Sequence, residues 1–522
     1  MSQNGSVNWG KNWIFVIAGT GAFGIIMGVA IYMLKQYVGN YIEKKISKNI
    51  EARHYYKFLA CFVILVLISY CIVWFTYFPG ICSYDFFNQV TQGIKNEYSS
   101  HHPLLHTLLI EFFWGVGYID WGNAVLGIAA YCVLQMIMSL SVFTYGAWLL
   151  LKGNCSRIVF VMATIFSCAL PLHGFMVCTV TKDSLFSVFF LFFVLLMIDI
   201  VWMDKKLSLK KSVFLLLASS GIMVMRNNGK YAMLVAIIVV LVKAYFDRKK
   251  DRIWSKIAAI MVISFVLSLG LLKMVENAYD CDRGNAREMM SVPIQQIARV
   301  VNRYPDALTE EEYAVLYNCI DREAIEAYEP GISDPVKEGV RTREVVNNIG
   351  GFAHIYFKLL LEYLGEYIDA FLEMIAGFVY VNDESSAWVN NPNKQENDGY
   401  GYIQTGVNTV FLESIGIRNM TFFPELYKRA QQWVSNNEYL RNPILRYTMA
   451  PGIWLYLLLF MIANDMTDKQ YSNIVVFSLL CAYYFTLFLG PTAQMRYAYP
   501  MILCIAFQTL LYITMKLNKA KR

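Results

Sequence analysis

The feature that most constrains this chain is its set of long apolar runs. They fall at roughly 13–34, 58–78, 123–151, 158–172, 184–203, 212–226, 231–246, 255–275, 450–464, 473–490 and 498–516. An α-helix rises 1.5 Å per residue, so about 20 apolar residues cross a ~30 Å hydrocarbon layer. Inside that layer each backbone amide must find its partner within the protein, which leaves helices or closed barrels. The expectation is an all-α polytopic membrane protein with about 11 transmembrane helices. The runs 158–172, 212–226 and 231–246 are short for a full crossing; they either extend into their flanks or re-enter.

Composition agrees. The 522 residues are 57% hydrophobic and only 16% charged, against about 25% charged in soluble domains. The net charge of +6 is spread over loops beside apolar runs, so no nucleic-acid partner is expected. The run 13–34 is too long for a signal-peptide core and predicts a first span. Most of the 11 cysteines lie in apolar runs and read as small core residues; Cys281 and Cys319 fall in a polar stretch, where a disulfide is one option.

Basic residues set the expected orientation. Lys44, Lys45, Lys48, Arg53 and Lys57 separate the first two runs. Lys152 and Arg157, then Lys205, Lys206, Lys210 and Lys211, then Arg248, Lys249, Lys250 and Arg252 occupy every second connection after that, and Lys519, Lys521 and Arg522 follow the final run. Those loops are predicted cytoplasmic. The N-terminus, the first outer loop 79–120 and the segment 276–449 are then outside, in a plasma-membrane protein. The chain divides into a transmembrane module, 1–275, a mainly helical extracytoplasmic segment, 276–449, and C-terminal transmembrane helices, 450–522. Lys358, Glu362, Glu366, Asp369 and Glu373 recur at helical spacing and predict an amphipathic helix over 352–378, lying on the membrane or covering the outer segment. The Asn- and Gly-rich stretch 382–406 reads as a loop.

This topology sorts the polar residues. Four connections distant in sequence deliver acids, imidazoles and cations to one surface. PGICSYDFFNQVTQGIKNEYSSHHP carries Asp85, Glu97, His101 and His102. TKDS carries Lys182 and Asp183, which also reads as a local pair opening a helix. RNNGKY carries Arg226, Asn228 and Lys230, and MRYAYP carries Arg496 and Tyr497. Each has a plainer role open to it, as a helix cap or a headgroup anchor. Anchoring alone does not call for acids and histidines beside the cations. Such a set suits transfer of a group from a lipid phosphate: cations neutralise the phosphate, and a carboxylate takes the proton of an incoming hydroxyl. A transporter or flippase of lipid-linked glycans is the alternative, but its charges belong near the midplane, often with repeat symmetry.

The motifs YFPGICSYD, HHPLLHT, TKDS, RNNGKY, SVPIQQIARVV and MRYAYP together resemble the GT-C class of integral-membrane glycosyltransferases, closest to a group of uncharacterised bacterial multi-pass proteins assigned to that class. The resemblance implies an inverting enzyme with a polyprenyl-phosphate-linked sugar as donor and a cell-envelope glycan or glycolipid as acceptor, working among membrane lipids. It implies that Asp85 is the general base. Many members of the class carry adjacent acids in this loop; here Phe86 follows Asp85, so a divalent metal ion and the identity of a second acid, Glu97 or Asp183, stay open. His102 is a further catalytic candidate. His101, Lys182, Arg226, Asn228, Lys230, Arg496 and Tyr497 would bind substrate. Gln296 and Arg299 of SVPIQQIARVV would reach sugar or phosphate, or belong to an ordinary amphipathic helix.

Overall fold

A computed structural model describes residues 49–82, 84–249, 251–282, 286–381, 398–399, 403–404, 409–435 and 438–520. The expected first span, 13–34, and nearly all of the loop 382–406 lie outside the described residues. The rest is helical, with strands only as two pairs of two residues. Among the described residues seven helices are long and apolar enough to cross a membrane: Ala52–Thr76, Ala124–Lys152, Lys182–Asp204, Gly229–Asp247, Ile253–Ala278, Tyr471–Phe488 and Met495–Asn518. The expected run 212–226 is the helix Leu209–Met225, of 17 residues, which reaches roughly 26 Å.

The expected runs 158–172 and 450–464 are both bent pairs. Arg157–Ala169 meets Pro171–Cys178 at 48°, and Pro443–Met449 meets Pro451–Thr467 at 62°. The cause is local. Proline disfavours the helical conformation in the residue before it; Leu170 and Ala450 adopt extended ψ of 111° and 114°, and each proline then opens a new helix. Counting each pair as one crossing gives nine among the described residues.

Two helices form the inner pair of the bundle, α7 (Lys182–Ile198, continued to Asp204 by a π-turn) and α17 (Met495–Ala520). They pack on one another and are far more buried than the peripheral helices α1 (Tyr55–Thr76) and α10 (Ile253–Ala278), whose Ile, Leu and Val side chains face outward. A second, smaller core lies in the segment after α10. There α11 (Ser291–Arg303) packs against Leu316, Ile325, Val336, Phe352 and Leu359.

The predicted helix 352–378 is two helices, α12 (Ile349–Glu362) and α13 (Leu364–Val379), broken at Tyr363. Four of the five charges of its stripe face protein, and Glu362 is exposed. Lys358 Nζ lies 2.7 Å from Glu312, and Arg299 of α11 pairs with Glu366 at 2.8 Å, Glu373 at 2.5 Å and Asp369 at 3.6 Å. Cys281 and Cys319 are free thiols.

Candidate functional site

The site is built by a short parallel pairing. β1 (Ile81–Cys82) pairs with β2 (Thr179–Val180), Ile81 opposite Thr179 and Cys82 opposite Val180. Each strand runs straight into a helix, β1 into α2 (Tyr84–Lys95) and β2 into α7. Asp85 and Asp183 therefore sit in the first turns of two adjacent helices, where the helix dipole favours a carboxylate. Gly80 lets the strands approach: a Cβ there would lie 2.4 Å from Cys132 Sγ and 3.1 Å from the Cys178 carbonyl.

A buried amide fixes the register. Gln135 of α4 (Ala124–Lys152) donates to the carbonyls of Val177 at 3.2 Å and Thr179 at 2.9 Å. Its Oε1 accepts from Tyr131, whose hydroxyl also meets His106 Nε2 at 2.8 Å, and His106 in turn meets Gln89 of α2. A lone Gln inside the apolar run 123–151 is the sequence signal for this network, since a polar residue there needs a partner.

Five charged side chains converge. Lys182 Nζ donates to Asp85 Oδ2 at 2.5 Å and to His102 Nδ1 at 3.0 Å. Arg496 Nη1 lies 3.3 Å from Asp85 Oδ2, and its Nε lies 3.8 Å from Asp183 Oδ2. Arg226 Nη1 donates to Asp183 Oδ1. Lys182 and Asp183 thus have separate partners and no bond to one another, since neighbours on a helix point about 100° apart. Tyr497 is the shared platform: its ring lies 4.3 Å below the Arg226 guanidinium, and its hydroxyl accepts from Arg496 at 3.1 Å. Gln494 accepts from Arg496 Nε at 2.8 Å. All five charges are buried or nearly so; Asp183 has no exposed surface.

Three cations and two carboxylates leave one surplus positive charge. Burial alone would lift the Asp85 carboxyl, but Arg496 and Lys182 outweigh it and hold it well below the usual carboxylate range. Burial, with Lys182 beside it, pushes the His102 imidazole down to about 2, so the ring is neutral. An ammonium only donates, which makes His102 Nδ1 the acceptor and puts the ring proton on Nε2. That Nε2–H is buried and has no partner among the described residues.

The other predicted residues lie apart or at the edge. His101 is exposed, its ring against His102 and its carbonyl held by Asn227. Asn228 donates to Thr486 at 3.2 Å. Lys230 lies over Tyr231, and Glu97 is exposed beyond α2; neither ion-pairs with the cluster. Gln296 and Arg299 are engaged within the outer segment. Gln296 bonds Tyr367 and Tyr356, and Arg299 bonds its three acids. Gln295, beside them, reaches the cluster indirectly. Its amide donates to the carbonyls of Glu329 and Ile332; Ser333 N donates to the Pro491 carbonyl at 2.9 Å, and Ile332 bridges Thr492, two residues before Gln494.

Residues 94–522 match DUF6020, described as a family of unknown function. The chain belongs to that family. The DUF6020 match includes Lys182, Asp183, Arg226 and Arg496 and begins nine residues after Asp85. No curated protein and no solved structure matches the chain.

Among the described residues no three His, Cys, Asp or Glu side chains gather to hold a metal ion. Asp85 and Asp183 do not fit a divalent ion either. Each is already ion-paired to a Lys or Arg, and a dication would add to a positive surplus.

Proposed function

We infer that this protein is a membrane glycosyltransferase that moves a sugar from a polyprenyl-phosphate donor to a hydroxyl of a cell-envelope glycan or glycolipid, with inversion. The observation that carries the reading is the surplus positive charge buried at one end of the bundle. A sugar phosphodiester carries the single negative charge that would balance it. Lys182 and Arg496 are the phosphate ligands, with His102 Nε2–H as a neutral donor beside them and Arg226 held in place by Asp183.

In the transfer, the acceptor hydroxyl oxygen bonds to the sugar anomeric carbon while the bond from that carbon to the phosphate oxygen breaks. The electron pair leaves with the polyprenyl phosphate, whose second negative charge falls between Lys182 and Arg496. The hydroxyl proton goes to Asp85. Ion-paired as it stands, Asp85 is a weak base. A phosphate that draws Lys182 and Arg496 toward itself raises the basicity of Asp85, so donor binding readies the base for the acceptor. The cluster end of the bundle and 276–449 face outside the cytoplasm in this reading, following the basic loops at the other end.

Purified protein incubated with radiolabelled polyprenyl-phosphate sugars, with products separated on thin layers, tests the proposal. Label in an acceptor or in free sugar is expected. Unchanged donor, together with its movement across a vesicle bilayer, would replace the enzyme with a transporter.

A further inference from the structure

The far ends of α7 and α17 enclose a second site. A cleft of about 320 Å³ opens there, lined by Trp202, Lys205, Trp254, Asn473, Tyr512 and Lys516 among others. α7 begins with Lys182 and its π-turn ends at Asp204; α17 carries Arg496 in its first turn and Lys516 in its last. The cleft is therefore at the opposite end of the spans from the charge cluster, where four span termini meet.

Its chemistry is that of an anion site at headgroup depth. Lys205 adopts a left-handed backbone conformation, φ 50°, just after the π-turn, and forms no ion pair among the described residues. Two of the three acids nearby are engaged by side chains, Asp468 with Lys516 at 2.5 Å and Asp465 with Tyr512 at 2.9 Å, while Asp251 accepts from the Ile253 amide at 2.9 Å and has no cation partner among the described residues. Trp202, 7% exposed, has an indole N–H without a partner among the described residues. Asn473 lies in the first turn of α16 (Tyr471–Phe488), whose positive dipole end faces the cleft. Two indoles and a phenol provide the amphipathic walls found at membrane interfaces. Lys206, Arg248, Lys249, Arg252 and Lys469 lie in the three loops that border it.

The geometry points to a binding site for the phosphodiester headgroup of an anionic phospholipid, with Lys205 as its charged ligand and Trp202 as a donor. Its acyl chains lie along α10 and α16, beside the cleft. The site is independent of the glycosyltransferase reading.

The test uses the full chain purified in neutral detergent, titrated with dioleoylphosphatidylglycerol or dioleoylphosphatidylcholine in mixed micelles. Melting temperature is followed, and retained lipid is counted by native mass spectrometry. Phosphatidylglycerol is expected to stabilise and to be retained, and phosphatidylcholine much less. Lys205→Ser should weaken the phosphatidylglycerol effect roughly tenfold or more in concentration. Lys206→Ser, one residue along and outside the cleft, should leave it unchanged. Equal losses in the two variants would mean diffuse surface charge and would overturn the site. The same stabilisation by inorganic phosphate at like concentration would overturn the lipid and leave a soluble phosphate. If Lys205→Ser does not fold, Trp202→Phe serves: it keeps an aromatic side chain and removes the donor, and unchanged retention of phosphatidylglycerol sinks the proposal.

Discussion

At the residue scale, Asp85 is both an internal counter-ion and the proposed base, and one substitution separates those roles. Asp85→Asn removes the charge that competes with donor phosphate for Lys182 and Arg496. Transfer should fall about a hundred- to ten-thousandfold, the usual loss of a general base, while a farnesyl phosphate probe binds more tightly than to the parent. Equal or weaker binding would show that Lys182 and Arg496 do not hold phosphate. Arg496→Ala and Arg226→Ala should each weaken the same probe about ten- to a hundredfold. Arg496→Lys should recover only part, because it cannot span Asp85 and Asp183 as the guanidinium does. The pH dependence follows from the two shifts outside the spans. Asp85 is depressed below the usual carboxylate range and stays ionised above it; His102, at about 2, stays neutral. A sugar phosphodiester does not titrate there either. Binding of a polyprenyl-phosphate sugar should therefore be flat from about pH 5 to 8, and an isothermal titration with a limb near pH 6.5 would mean that His102 titrates.

At the element scale, two strands of two residues align the ends of α2 and α7 that carry Asp85 and Asp183. Gly80→Ala places a Cβ against Cys132 Sγ and the Cys178 carbonyl. Overpacking of this kind costs about 1–3 kcal/mol and should move Asp85 away from Lys182. Lower melting temperature and lower transfer are expected together. Cys132→Ala in the same chain should restore part of both, since the sulfur is the closer contact; no recovery would place the strain on the Cys178 carbonyl. The sequence shows clearly which elements exist here, because length and hydrophobicity mark each span. It shows less well how they meet. The run 158–172 is legible as short and the run 450–464 is not singled out, while the bends at Pro171 and Pro451 come from extended Leu170 and Ala450. TKDS read equally as a local pair, and only the neighbouring helix ends reveal that Lys182 turns to Asp85 and Asp183 to Arg226. The stripe from Lys358 to Glu373 has helical spacing on either account; Tyr363 breaks it and Arg299 draws its acids inward, which are tertiary facts.

At the scale of the whole molecule, the positive loops and the charge cluster lie at opposite ends of the spans, which makes orientation testable at two described positions. In a background corrected for native thiols, Glu310→Cys should react with an impermeant maleimide on intact cells, and Lys206→Cys only after lysis. The reverse pattern would put the cluster on the cytoplasmic side, away from any envelope acceptor. The inner pair, α7 and α17, carries a further consequence. Each runs from the charge cluster to the far cleft as one deeply packed rod of roughly 30 Å, and neither can tilt without tearing the core between them. A bilayer thinner or thicker than that rod must deform around the protein, at a cost that grows with each ångström of mismatch. The length of the surrounding acyl chains thus becomes a variable of this protein's working state.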